Sequence, residues 1–208
     1  MRIILSLFLM FAIMTAYGSD GHGVRHGGWT LESEKDGIKI YTRTVKGSKL
    51  KQVRAVVAVK APLEKVLRII TDYKGYNEWM NNVTESYVMH QPSDSIHYVY
   101  RFEDAPWPVQ NRYHVDRMIV DRGIDDVTVA FKSMPNYIDK TDEAIEVEQY
   151  EGSWHIVDNG LGECMIEYTL DENPGGFVPP WLVNYLAIDT PFKTLSNLRS
   201  RAETLQRS

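Results

Sequence analysis

An α+β domain, in which a mostly antiparallel sheet is closed by one long C-terminal helix, is what this 208-residue chain predicts. From residue 83 to residue 171, short segments of alternating character follow one another with no helical period between them, a pattern of antiparallel neighbours. Pro106-Trp107-Pro108 separates two of these segments, and two prolines fix φ and remove two donors, so the chain turns there at a sheet edge. Phe192, Leu195, Leu198, Ala202 and Leu205 recur three and four apart, which is one apolar helix face. A long amphipathic helix of this kind covers the concave face of a strongly curved sheet.

The elements follow in order. Gly28 to Glu34 is expected to open with a short helix, and Asp36-Gly37 turns into a hairpin of Ile38 to Thr44 and Leu50 to Lys60 across Lys46-Gly47-Ser48. Val53, Ala55, Val57 and Val59 alternate along its second strand. Pro62 suits a helix start, and Leu63, Val66, Leu67 and Ile70 form one face. Strands are expected at Val83 to His90, Ser95 to Glu103, Tyr113 to Asp121, Val127 to Ser133, Ala144 to Gln149, Gly152 to Asp158 and Glu163 to Asp171. Pro174-Gly175-Gly176 ends the last strand, Pro179-Pro180 starts the final helix, and Pro191 is expected to kink or divide it.

The length suits one domain with a sizeable core or an enclosed cavity, and 43% apolar with 11% aromatic residues is ordinary globular composition. Residues 1–18 read as a signal peptide: Arg2, an apolar run from Ile3 to Met14, then Ala16-Tyr17-Gly18 before the expected cut at Ser19. The run is shorter than the ~20 residues that cross a bilayer. A flexible mature start, residues 19–27, would precede the domain at 28–206, and the protein would be periplasmic or secreted. Loss of Arg2 takes 23 basic against 28 acidic side chains, −5, to −6, with no basic cluster to attract nucleic acid. The single Cys164 forms no internal disulfide and reads as a small buried hydrophobe. His22 and His26 sit in a Gly-rich start that would not hold a metal, and neither a metal nor a cofactor is expected.

Four motifs occur in sequence: Asp36 to Arg43, Asp72-Tyr73-x-x-Tyr76-x-x-Trp79, Pro106 to Arg112, and Pro174 to Asn184. Their order and spacing resemble the START (steroidogenic acute regulatory protein-related lipid transfer) family, in the manner of an exported bacterial member, over roughly Gly28 to Leu205. The resemblance implies the helix-grip fold shared with Bet v 1-like proteins, a curved antiparallel sheet wrapped around the C-terminal helix. It also implies binding, sequestration or transfer of a lipid or other hydrophobic molecule in a cavity gated by that helix and nearby loops. Transient membrane contact and a monomeric state go with that reading. Two departures stand out. Tyr113 follows Arg112 where many members carry an acid, and Ala144 to Glu148 has acids but no arginine, which removes a counterion for a charged head group.

Burial of alkyl groups contributes ~0.8 kcal/mol per methylene, so such a pocket needs shape more than signature residues. Candidate cavity or lid residues are Trp79, Tyr98, Tyr100, Trp107, Trp154 and Tyr168, with Trp181, Tyr185 and Phe192 from the final helix; core packing is the competing role for each. Arg101 and Glu103, on the other face from Tyr98 and Tyr100, read as a solvated cross-strand pair. His97, His114 and His155 fall on strands beside no convincing nucleophile, so no catalytic residue is assigned and the chain is expected not to be an enzyme. A cyclase or hydrolase acting on a hydrophobic ligand, and a pocketless interaction domain, remain the alternatives. A cavity of roughly 300 to 1,000 Å3 would favour the carrier.

Overall fold

A computed structural model describes residues 25–26, 28–45, 50–105, 107, 109–176, 178 and 180–204. Its strands are β1 (Arg25–His26), β2 (Trp29–Lys35), β3 (Ile38–Thr44), β4 (Lys51–Val59), β5 (Val83–Ser93), β6 (Ile96–Glu103), β7 (Arg112–Arg122), β8 (Asp126–Ser133), β9 (Ile145–Glu146), β10 (Gln149–Asp158) and β11 (Cys164–Asn173). Helix α1 (Leu63–Thr71) and a 3-10 segment (Tyr73–Glu78) lie between β4 and β5, and helix α2 (Pro180–Thr204) ends the described chain. One sheet runs β1-β2-β3-β4-β11-β10-β8-β7-β6-β5. The proposed leader, its cleavage site, the start to residue 24 and the turn at residues 46–49 lie outside the described residues.

Three sequence expectations change. Residues 29–35 form strand β2 rather than a helix, because Asp36 and Gly37 take positive φ (52° and 73°), the left-handed pair that closes a tight hairpin, and so commit Trp29–Lys35 to pairing with β3. The stretch Ala144 to Gln149 holds only the two-residue β9, which runs parallel to β7, the one parallel pairing among the described strands; Gln149 already belongs to β10. Pro191 does not divide the last helix, which continues through it to Thr204.

Alternation decides the core. Val53, Ala55, Val57 and Val59 of β4 are buried, as are Ile38 and Ile40 of β3 and Trp154 and Ile156 of β10. Leu63, Val66, Leu67, Ile69 and Ile70 of α1 and Leu195, Leu198 and Ala202 of α2 pack on the same side. At Gly152 of β10 a Cβ would meet the Thr169 carbonyl oxygen at 2.0 Å and Phe131 at 2.8 Å, so only glycine lets β10, β11 and the Phe131 ring approach this closely.

The second half of α2 is pinned by polar contacts. Asn197 donates to the Trp79 carbonyl (3.0 Å), Arg199 to the Asp36 carbonyl (2.7 Å), Glu203 accepts from the Lys60 amide (3.0 Å), and Arg201 pairs with Glu78. Between residues 182 and 190 no hydrogen bond or ion pair to the sheet occurs among the described residues; Asp189 pairs only with Lys193 of the same helix.

Candidate binding cavity

A cavity of about 470 Å3 lies between the sheet and the first half of α2, inside the expected range. Glu32 of β2 and Glu103 of β6, from opposite halves of the sheet, line the same space, which requires the sheet to curve around it. The apolar wall combines Val53, Met80, Val109 and Leu170 with Val183, Leu186, Ala187 and Ile188 of α2. Its existence disfavours the pocketless alternative.

One end of the cavity is polar, built across β6, β7, β10 and β11. Arg101 is 2% exposed and donates from Nε to Asp116 Oδ2 at 3.0 Å and again from Nη2. Its Nη1 reaches Met80 Sδ at 3.0 Å, and the Tyr150 ring lies 4.7 Å beneath the guanidinium. Asp116, with no exposed surface, also holds His114 Nδ1 at 2.9 Å, while His114 Nε2 contacts Glu103 Oε1 at 3.1 Å. Burial, and to a lesser degree Arg101, resists charging the His114 imidazole, but the charge and hydrogen bond of Asp116 together with the hydrogen bond to Glu103 outweigh them and raise the ring to about 9, so the imidazolium donates to both carboxylates. Burial likewise resists ionisation of Asp116 and Glu103, and the facing cations nevertheless hold both below the usual carboxylate range. Tyr150 and Tyr168 join through their hydroxyls at 3.0 Å.

Arg112, from the Pro106 to Arg112 motif, is 5% exposed and donates to the carbonyls of Pro174 and Gly175 at 3.3 Å each, and to Gln110. It thus ties the start of β7 to the turn that launches α2. Glu172 of β11 faces the same end. Burial and the nearby Glu103 raise its carboxyl to about 7, and no hydrogen bond or ion pair reaches that carboxylate among the described residues.

Of the nine candidates, Tyr168 lines the cavity. Trp154 stacks on it at 4.1 Å and meets Trp79 edge-on at 5.8 Å; both tryptophans are buried behind the wall. The Tyr73-x-x-Tyr76-x-x-Trp79 motif continues this aromatic chain, with ring spacings of 5.8 Å and 5.3 Å. Tyr98 and Tyr100 stack on Tyr137 and Tyr87 on the opposite face of β6, away from the cavity. Trp107 is 92% exposed and Tyr185 53% exposed, while Phe192 packs on the core under Lys35, 5.1 Å away. The Trp181 side chain lies outside the described residues, as do Pro106, Pro108 and Leu205.

Arg101 and Glu103 require correction: they are interior wall residues rather than a solvated pair, because Asp116 and His114 on the next strand satisfy them. The register that places Arg101 opposite His114 and Glu103 opposite Arg112 carries this signal, since laying β6 against β7 puts complementary polar groups on one face. The three strand histidines do not converge. His97 lies against Tyr73 at 4.9 Å, and His155 pairs with Asp126 with both side chains well exposed. Cys164 is buried, and burial raises its thiol to about 11, as suits an inert core residue.

The START domain family model matches residues 18–207. The chain is 31% identical to an uncharacterized protein of Pseudomonas aeruginosa, covering 98% of this chain and 99% of that one. It is 29% identical to human phosphatidylcholine transfer protein over 76% of each. Among solved structures it is similar to the STAR-related lipid transfer protein fragment from Xanthomonas axonopodis, with 32% identity, a TM-score of 0.79, and coverage of 85% of this chain and 99% of that one.

Proposed function

This chain belongs to the START domain family, and we propose that it is a monomeric, exported carrier that takes up one hydrophobic molecule, sequesters it and passes it between membranes. Lipid binding and transfer in general follow from the family. The finer reading rests above all on the 470 Å3 cavity roofed by the part of α2 whose ties to the sheet are apolar among the described residues. Ten buried methylenes contribute roughly 8 kcal/mol before ordering costs, so the apolar wall can supply most of the affinity.

The same asymmetry of α2 supports gating. Among the described residues, lifting residues 182–190 breaks no hydrogen bond or ion pair to the sheet, whereas residues 194–203 are held by hydrogen bonds and an ion pair. Trp107 stands 92% exposed on the proline corner between Ala105 and Val109, which line the cavity, and Tyr185 stands exposed beside Leu186, which also lines it. Aromatic side chains with one polar edge suit the bilayer interface, so this rim is the membrane-facing side. Export rests on the apolar run Ile3 to Met14 and the cleavage pattern after it. No described helix is long and apolar enough to cross a membrane.

The carrier is favoured over a cyclase or hydrolase because His114, the strand histidine buried behind the lining residue Glu103, has both ring nitrogens occupied by Asp116 and Glu103. The test is transfer: mature protein is added to donor vesicles made from a total lipid extract of its host, and acceptor vesicles are sampled over time. Protein-dependent transfer that slows in Trp107→Ser, with unchanged thermal stability, is expected. No transfer above the protein-free rate would overturn the carrier.

A further inference from the structure

We propose that the outer face of the sheet, at the end remote from the cavity, docks a second protein that presents an apolar recess bordered by lysine and arginine. The inference concerns a partner and goes beyond the carrier reading. Two hairpin turns carry it. β7 and β11 supply cavity-lining residues near one end, Arg112 and Glu172, and the turns holding Ile124 and Leu161 lie at the other end of those strands. At about 3.3 Å per residue, β7 carries its turn roughly 30 Å from Arg112.

Ile124 is 99% exposed and Leu161 84% exposed. Turn geometry asks for neither, since it favours glycine, asparagine and aspartate. Gly160 and Gly162, both at φ 75°, take the left-handed positions and hold Leu161 out between them. The display is ordered. Asn159 Oδ1 accepts from the amides of Leu161 (3.0 Å) and Glu163 (3.3 Å), and Asp158 Oδ1 accepts from Gly160 (2.8 Å). The Asp158 amide donates to the Asp125 carbonyl at 2.9 Å, which ties the two turns together. Beside them the register sets Ala58, Met165 and Val157 next to one another on three neighbouring strands, all exposed, so the two knobs continue into an apolar strip. A preordered apolar surface of this kind binds with little ordering cost.

Charge selects the occupant. Around the strip His155 is matched by Asp126, Arg54 by Glu167 and Arg122 by Glu64. On this face and its two turns, among the described residues, that leaves Lys60 as the unmatched base against Asp121, Asp125, Asp158 and Glu163, none of which forms an ion pair. Helix α1, with Lys65 and Arg68, lies on the other face of the sheet, packed on the core. A second copy would set these carboxylates against their own kind, and an anionic bilayer would repel them too. A protein with basic groups around an apolar recess is complementary to both the knobs and the rim. A carrier held by this end keeps α2 and the Trp107 corner free.

The photo-crosslinking residue p-benzoylphenylalanine, placed at Leu161 of the full chain in its own host, captures what sits on the turns. The captured protein is then purified uncrosslinked and titrated calorimetrically with wild type and variants. Binding is expected to weaken at least about tenfold in the Ile124→Ser, Leu161→Ser double variant, as for two apolar anchors. It should weaken severalfold in Asp121→Asn, Asp125→Asn, and the binding that remains should depend less on salt than that of wild type. Both variants should keep the wild-type urea midpoint and the wild-type rate of transfer between host-extract vesicles. No protein adduct, adducts only with a second copy or with lipid, or a captured protein whose affinity ignores either variant would overturn the inference. A loss of vesicle transfer in the Ile124→Ser, Leu161→Ser variant would also overturn it, by making the turns a membrane contact. Absence of transfer in every form, with docking intact, would instead count against the carrier alone.

Discussion

Replacing Arg101 by Leu removes the main counter-charge of an Asp116 carboxylate that has no exposed surface. Breaking a buried pair from one side costs about 3–5 kcal/mol, because the remaining charge stays buried. His114 stays on Asp116 Oδ1 at 2.9 Å, so the lower end, about 3 kcal/mol, is expected here. Asp116→Leu alone should cost a similar amount, since it strands Arg101 with only Glu103, 3.9 Å away. The double variant, which buries neither charge, should recover about 2–3 kcal/mol relative to the sum. Urea unfolding of the delipidated proteins at one pH measures all four corners of the cycle. Additivity within about 0.5 kcal/mol would refute the pair as the support of the cavity's polar end.

Trp154→Ala should cost about 3–5 kcal/mol in the same urea assay, because the ring is 1% exposed and packs on both Tyr168 and Trp79; a loss under about 1 kcal/mol would contradict that wall. Glu172 is raised from its ordinary 4.5 to about 7 by burial and Glu103, against the lowering pull of His114, Arg101 and Arg112. The folded state therefore holds its proton longer than the unfolded chain, so stability falls as pH rises from about 4.5 to about 7 and then levels; Glu172→Gln should flatten that segment of a pH-stability curve. His114, raised from 6.5 to about 9, works in the next window: its contribution is full below about 6.5 and disappears as pH climbs through about 9, a slope that Asp116→Leu should remove.

The strands were legible because burial follows the period of two, and β3 and β4 lie within a residue of the bounds that alternation suggests. Trp29–Lys35 was not, since a stretch of mixed polarity becomes a strand through the Asp36-Gly37 turn and its β3 partner rather than through its own pattern. The cavity was legible as a volume and illegible as a lining. Alternation separates Tyr98 and Tyr100 from Arg101 and Glu103 but does not say which pair turns inward. Apolar preference points to the tyrosines, and the charged pair lies inside instead because Asp116, 15 residues from Arg101, cancels its cost across the hairpin. Tyr168 was found because β11 carries Cys164, Ile166, Tyr168, Leu170 and Glu172 on one face, and that face turns from solid core into cavity along its length.

Occupancy of the cavity tests the central claim most directly. Protein purified from its own host, measured by native mass spectrometry and then by extraction of the bound molecule, should carry one hydrophobic ligand per chain. Ala187→Trp, which fills the space beneath α2 from a lining position, should fold and lose that ligand. A wild-type protein that is empty, or a ligand retained in full by the folded Ala187→Trp variant, would contradict the account.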